Sequence, residues 1–234
     1  MDNSAALVTG ANKGIGKEIA RQLAEAGCTV YVGSRDAARG KSAADEIGGD
    51  ARLLVIDVTD DASIAAAASQ VGSLDILVNN AGISGDGKPA GEADADAFRR
   101  VYETNVFGVV AVTNAFLPAL RRSPKPRIVN ISSGTGSLTF ATGPQFPHQG
   151  TMAAYRSSKT ALNAITVFYA HALGDGFKVN ALAPGLRRTD LNPIAAASEG
   201  DPAEGAAGAV RLALLPDDGP TGEFFSWDGT PVPW

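Results

Sequence analysis

The chain has 234 residues, which suits one α/β domain with a core of normal proportion, and we expect a single domain over residues 1–234. Its 20 basic and 25 acidic residues give a net charge of −5, which argues against nucleic acid or an anionic membrane as a partner. Cys28 is the only cysteine, and His148 and His171 are far apart, so neither a disulfide nor a metal site is expected. Since no apolar run approaches the roughly 20 residues of a membrane span, we expect a cytoplasmic protein.

Short apolar runs alternate with segments of helical period along the chain. The runs are ALVTG, TVYVGS, RLLVIDV, LDILVNNAG, RIVNISS and FKVNALAPG. Besides the segment IARQLAEAG, helices are predicted near residues 36–47, 60–71, 94–120 and 152–173. Apolar strands joined by helices predict a parallel sheet covered on both faces, which is a doubly wound, Rossmann-type α/β domain. Residues 135–150 and 190–205 are expected to be irregular loops beside the ligand-binding edge of the sheet.

A glycine-rich turn joins the first strand to the first helix. It reads Thr9, Gly10, Ala11, Asn12, Lys13, Gly14, Ile15 and Gly16. Glycines allow a close approach that a Cβ would block, and the helix start behind them offers free N–H groups to a phosphate. This position between a strand and a helix predicts a dinucleotide site.

The end of the second strand bears on which dinucleotide binds. An acidic side chain here is typical of NAD, but Ser34 occupies the position that we assign to it. Arg35 and Lys13 are two cations that can flank the 2′-phosphate of NADP, and we therefore expect NADP(H). If the strand extends further, Asp36 would become the ribose ligand; otherwise Asp36 is expected to cap the next helix.

Tyr155 and Lys159 are one helical turn apart in the stretch AAYRSSKTAL. Side chains at this spacing share a helix face, with Cβ atoms about 5 to 6 Å apart. A tyrosine with a pKa of about 10 becomes a useful acid-base group near neutral pH when a cation stabilises its phenolate. Ser132 and Ser133 follow a strand, where a hydroxyl can polarise a carbonyl oxygen. Together with the glycine turn, these residues indicate carbonyl chemistry.

The sequence resembles the short-chain dehydrogenase/reductase family, in its compact single-domain subtype, over nearly the whole chain. The resemblance rests on the Thr-Gly-x-x-x-Gly-x-Gly turn, on Asn79-Asn80-Ala81-Gly82 and on the Tyr-x-x-x-Lys pair. Asn12-Lys13 and the closing GPTGEFFSWDGTPVPW resemble the carbonyl-reductase-like branch, as does the long separation between Ser133 and Tyr155.

The resemblance implies a role for each matching residue. Tyr155 would protonate the carbonyl oxygen and Ser133 would hold it. Lys159 would bind the nicotinamide ribose and lower the pKa of Tyr155, while Asn105 would hold a water in the proton relay. The cofactor would contact Asn80, Ala81 and Gly82 along the backbone, Asp57 and Val58 at the adenine, and Pro184, Gly185 and Thr189 at the nicotinamide.

The implied activity is NADPH-dependent reduction of ketones or aldehydes, with a small carbonyl or alcohol as substrate. Two alternatives stay open, an NAD-dependent alcohol dehydrogenase that works oxidatively and a non-catalytic dinucleotide sensor. Phe140, Phe146 and His148 are expected either to line the substrate cleft or to hold their own loop in place. The segment after Thr189 is short, which predicts an open pocket that accepts a broad range of carbonyl compounds. A homo-oligomer, dimer or tetramer, is possible alongside a monomer.

Overall fold

The computed structural model describes residues 4–144 and 150–234, and strands of this part of the chain form a seven-stranded parallel sheet. The strands are β1 (Ala5–Val8), β2 (Thr29–Ser34), β3 (Ala51–Val55), β4 (Ile76–Asn79), β5 (Arg127–Ile131), β6 (Lys178–Ala183) and β7 (Phe224–Ser226). Their order is β3-β2-β1-β4-β5-β6-β7. The order runs outward in both directions from β1 and β4, which confirms the predicted doubly wound sheet.

Helices cover both faces of the sheet. They are α1 (Gly14–Glu25), α2 (Ala37–Ile47), α3 (Asp61–Ser69), α4 (Ala95–Tyr102), α5 (Gly108–Leu120), α6 (Leu138–Thr142), α7 (Ala153–Leu173), α8 (Pro193–Ala196) and α9 (Pro202–Ala213). Alternate strand residues point to opposite faces, so Ala6 and Val8 pack in one hydrophobic cluster and Leu7 in the other. This two-sided burial explains why the strands are almost continuously apolar.

The predicted helix over residues 94–120 is interrupted by one wider turn. Asp94 caps α4 by accepting a hydrogen bond from the backbone N–H of Ala97 at 2.7 Å. The chain then winds as a π-helix over Glu103–Phe107 before α5 begins. A Cβ added to Gly108 would lie 2.6 Å from the carbonyl oxygen of Val58, so glycine allows α5 to pack closely at this point.

Both predicted irregular loops contain short helices, and in this respect the prediction was wrong. Residues 135–150 include the end of a 3-10 turn (Gly134–Gly136) and α6, which Ser137 caps through the N–H of Phe140. Residues 190–205 include α8 and the start of α9. Asn192 and Asp201 cap these two helices, and a proline follows each cap. The amino-acid composition of these two segments favours loops, but their capping residues allow short helical segments to begin.

Candidate active site

A cleft of about 340 Å³ opens at the carboxyl ends of the strands, and most of the predicted cofactor-binding residues line it. These are Gly10, Asn12, Lys13, Gly14, Ile15, Gly16, Arg35, Asp57, Val58, Asn80, Ala81, Gly82, Tyr155, Lys159, Pro184 and Thr189. Further wall residues are Ile56, Thr59, Ile83, Thr104, Ile131, Ser132, Asp190 and Leu191. Most of the further residues adjoin a predicted one in sequence, so the strand-end pattern itself was the signal that could have found them.

The glycine turn forms a tight cradle at the start of α1. Gly10 and Gly14 have φ values of +64° and +55°, which favour glycine. A Cβ added to Gly16 would collide with the Asn80 amide and lie 2.6 Å from the carbonyl oxygen of Gly10. Lys13 precedes the helix without a side-chain capping bond, so the first N–H groups of α1 are available to a ligand. This arrangement fits the pyrophosphate of a dinucleotide.

Asn80 fixes the neighbouring wall of the cradle. Its amide nitrogen donates a hydrogen bond to the carbonyl oxygen of Thr9 at 2.9 Å, and its backbone N–H donates to the Thr9 hydroxyl at 3.0 Å. Asn79 faces the sheet instead, where its amide donates to the side chains of Thr113 and Asn130. The two asparagines therefore tie the ends of neighbouring strands together.

The end of β2 places one of its two predicted cofactor residues in the cleft. Arg35 lines the cleft, but Ser34 is buried outside it and donates a hydrogen bond to the carbonyl oxygen of Asp36 at 2.8 Å. A Cβ on Gly40 would lie 2.8 Å from the Ser34 Cβ, so Ser34 packs beneath α2, and its contact with the cofactor stays a prediction. Asp36 accepts from the N–H of Arg39 at 3.0 Å and is the expected helix cap.

Tyr155 and Lys159 project into the same cleft from α7, as their spacing predicts. The Lys159 Nζ atom is 5.8 Å from the centre of the Tyr155 ring and donates to the carbonyl oxygen of Ile131 at 2.7 Å. Burial lowers the pKa of Lys159 from 10.5 to about 8.

The pKa of Tyr155 differs from the sequence-based expectation. Burial raises it above its ordinary value of 10, and a hydrogen bond with Ser133 lowers it by a smaller amount. The lowering expected from Lys159 is not found in this structure, in which the lysine ammonium donates to a backbone carbonyl and lies 5.8 Å from the centre of the phenol ring.

The two serines after β5 have different tasks. Ser132 lines the cleft, but its hydroxyl donates to Asn163 Oδ1 at 2.5 Å. Ser133 Oγ is 2.8 Å from the hydroxyl of Thr135, and Ser133 also interacts with Tyr155, whose pKa it lowers. Ser133 does not line the cleft, and its task of holding the carbonyl oxygen of the substrate stays a prediction.

Asn105 is fully buried in the π-helical turn. Its side chain accepts from the N–H of Ile83 at 2.9 Å and donates to the carbonyl oxygen of Ile83 and to the Ser158 hydroxyl. A Cβ on Gly82 would lie 3.3 Å from Asn105 Oδ1 and 3.6 Å from Lys159 Nζ. Asn105 and Lys159 therefore both border Gly82 in the wall of the cleft.

The segment after β6 contributes Pro184 and Thr189 to the cleft but not Gly185. Gly185 has a φ of +75°, and its added Cβ would face Trp227 at 3.1 Å. Gly185 therefore allows the turn after β6, and its cofactor contact stays a prediction. The buried Arg187 stacks on Trp227, donates to the carbonyl oxygen of Pro184 at 2.7 Å and pairs with Glu204.

Of the candidate substrate-lining residues, Phe140 lies in α6 and does not line the cleft, whereas Phe146 and His148 lie outside the described residues. Within residues 4–144 and 150–234, no group of three or more His, Cys, Asp or Glu side chains is arranged to hold a metal ion. None of the helices in this part of the chain has the length and apolar character needed to cross a membrane.

Comparisons with known proteins agree with this architecture. The family model described as short chain dehydrogenase matches residues 4–199. The chain is 36% identical to (−)-isopiperitenone reductase of Mentha piperita, over 95% of this chain and 96% of that protein. The alignment spans 310 residues, more than the 234 of this chain, so the mint reductase contains stretches without a counterpart here.

Solved structures show the same fold. NADPH-bound carbonyl reductase from chicken fatty liver superposes with a TM-score of 0.85 at 29% identity, over 99% of both chains. Salutaridine reductase from Papaver somniferum superposes with a TM-score of 0.82 at 31% identity, over 94% of this chain and 99% of that one. The chain therefore belongs to the short-chain dehydrogenase family, and the relatives that it resembles include proteins named as reductases.

Proposed function

We propose that the protein is an NADPH-dependent carbonyl reductase that converts ketones or aldehydes to alcohols. The observation that carries the proposal is the meeting of Tyr155 and Lys159 with the glycine cradle in one cleft. A dinucleotide held by the cradle needs an acid-base group beside it to act on a carbonyl, and Tyr155 is that group.

The cofactor, when bound, supplies the hydride that goes to the carbonyl carbon. Tyr155 donates its hydroxyl proton to the carbonyl oxygen, and Ser133 holds that oxygen by a hydrogen bond. Lys159 holds the ribose beside the nicotinamide. Asn105, which like Lys159 borders Gly82, anchors the water through which the proton of Tyr155 is replaced.

The alternative, an NAD-dependent dehydrogenase that works oxidatively, differs from this proposal in its cofactor and its direction. A tyrosine that gives its proton to the oxygen in reduction takes a proton from the alcohol in oxidation, so Tyr155 serves both directions. Cofactor preference is therefore the property that separates the two.

The choice of NADPH is supported by Arg35 and Lys13, which both line the cleft. Asp36, the acidic residue next to Arg35, is used as a helix cap and does not line the cleft. The non-catalytic sensor is disfavoured because Tyr155, Lys159 and Ser133 are all in place.

Broad carbonyl tolerance is also part of the proposal. The segment after Thr189, in which α8 has only four residues, offers little polypeptide to enclose a substrate. A panel of ketones of increasing size tests this point, and turnover confined to one size would contradict it. Homo-oligomerisation stays a prediction.

The experiment is to follow NADPH absorbance with ketones and aldehydes for the wild type and for Tyr155→Phe. We expect turnover in the wild type and a loss of at least a hundredfold in the variant, with NADPH binding unchanged. If both proteins bind NADPH but neither reduces any carbonyl, the sensor alternative replaces this proposal.

A further inference from the structure

An ion pair spans the mouth of the cofactor cleft. Lys13, in the glycine turn before α1, pairs with Asp190, in the segment after β6. Both residues line the cleft, although 177 positions separate them in sequence. Thr189 also packs here, since a Cβ on Gly14 would lie 3.3 Å from its methyl group. Asp190 was not predicted to take part in the site.

The segment that carries Asp190 is fixed by other contacts. Ser84 donates a hydrogen bond to the carbonyl oxygen of Leu191 at 3.0 Å, and Asn192 caps α8. The side chains of Lys13 and Asp190 are 54% and 65% exposed, and an ion pair so exposed adds little to the stability of a fold. The pair is therefore better explained by its effect on the cleft than by its effect on folding.

The two cations of the cleft are not equally available. Arg35 forms no ion pair within residues 4–144 and 150–234 and acts on Asp57 only by attraction through space. Lys13 is held directly by a carboxylate. A phosphate that approaches Lys13 meets the negative charge of this carboxylate, and the repulsion between the two anions weakens its binding.

We propose that Asp190 is a specificity-determining residue, whose carboxylate competes with the 2′-phosphate of NADPH for Lys13. The inference rests on the proposed function in that it assigns Lys13 to the 2′-phosphate. It goes further in two respects. It predicts a weaker preference for NADPH over NADH than two unpaired cations would give, and it attributes this weakening to the carboxylate of Asp190.

The test is the ratio of the Kd values of NADH and NADPH, measured by calorimetry for the wild type and for Asp190→Asn. Loss of a negative charge near the pyrophosphate would strengthen the binding of NADH and NADPH equally, and this effect cancels in the ratio of their Kd values. Release of Lys13 should strengthen the binding of NADPH selectively, so we expect the ratio to rise by roughly 1.5-fold to fivefold, the range for breaking an exposed ion pair.

Two further variants assign the effect to the pair. In a Lys13→Met background, Asp190→Asn should leave the ratio unchanged, as a double-mutant cycle requires for a direct interaction. Asp45→Asn is the matched control, because it removes a similarly exposed carboxylate that pairs with Lys41 away from the cleft. It should not change the ratio.

The outcomes separate this inference from the proposed function. An unchanged ratio in Asp190→Asn, or the same rise in the Lys13→Met background, overturns the inference while NADPH-dependent turnover still stands. If the wild type prefers NADH, the proposed cofactor is wrong. A rise of the Kd ratio in Asp190→Asn that depends on Lys13 would still support competition between Asp190 and the 2′-phosphate. Adenosine 2′,5′-bisphosphate against 5′-AMP should repeat the result without a nicotinamide.

Discussion

Replacing Lys159 with methionine tests the energetic cost of burying its ammonium. The folded protein holds the pKa of Lys159 at about 8, against an ordinary value of 10.5. Only 5% of the residue is exposed, so solvent screens the effect little. At about 1.4 kcal/mol for each pKa unit, the difference corresponds to roughly 3 kcal/mol of destabilisation in the protonated state.

The sign of the pH dependence follows from proton counting. Between pH 8 and 10.5, Lys159 is protonated in the unfolded chain but largely neutral in the folded protein. The unfolded state therefore binds more protons, and the contribution of Lys159 to stability rises with pH across this window. Below pH 8 the full cost is present, because Lys159 is charged in both states.

The assay is urea unfolding from pH 7 to 10.5 in a Tyr155→Phe background, so that the neighbouring phenol does not titrate. The protein that keeps Lys159 should gain up to about 3 kcal/mol in free energy of unfolding relative to the Lys159→Met variant. Loss of the hydrogen bond to Ile131 adds only a constant difference. The exposed Lys41→Met is the control and should show no trend. A constant difference for Lys159→Met would refute the reasoning.

Three more substitutions test the packing around the cleft. Gly16→Ala should weaken NADPH binding at least tenfold by calorimetry, because its Cβ would collide with Asn80, whereas Gly72→Ala has nothing within 4 Å and should bind normally. Asn105→Ala removes three hydrogen bonds of a fully buried side chain and should lower the free energy of unfolding by about 1 to 3 kcal/mol; an unchanged urea midpoint would contradict this. Arg187→Met removes a buried guanidinium from its pair with the half-exposed Glu204 and should cost about 2 kcal/mol in the same assay, and a neutral result would show that the pair adds no stability.

The sheet and its helices were predictable because their signal is local and repeated. Each buried strand is a short apolar run, and caps such as Asp36 and Asp60 mark helix starts directly. β7 was missed because its three residues, Phe224–Ser226, are too few to show a period. The π-helical turn at Asn105 was also hidden, since it depends on partners at Ile83 and Ser158 far away in sequence.

The site was predictable where backbone position decides the outcome. Strand-end residues reach the cleft whatever their side chains, which is why Asn80 to Gly82 line it. Ser34 lies beside the cleft but turns its side chain into the packing behind it, and Gly185 has no side chain with which to reach the cleft. The pKa of Tyr155 depends on its burial, and the Lys159 ammonium binds the carbonyl oxygen of Ile131. The spacing of Tyr155 and Lys159 in the sequence indicates neither feature.

The central claim is tested most directly by following the transferred hydrogen. NADPH that carries deuterium at the hydride position of its nicotinamide is incubated with the protein and a ketone that it consumes, and the product is analysed by mass spectrometry and NMR. The account predicts an alcohol with one deuterium on the former carbonyl carbon, and no such alcohol from Tyr155→Phe. An alcohol without deuterium, or equal labelling by the Tyr155→Phe variant, would contradict the account.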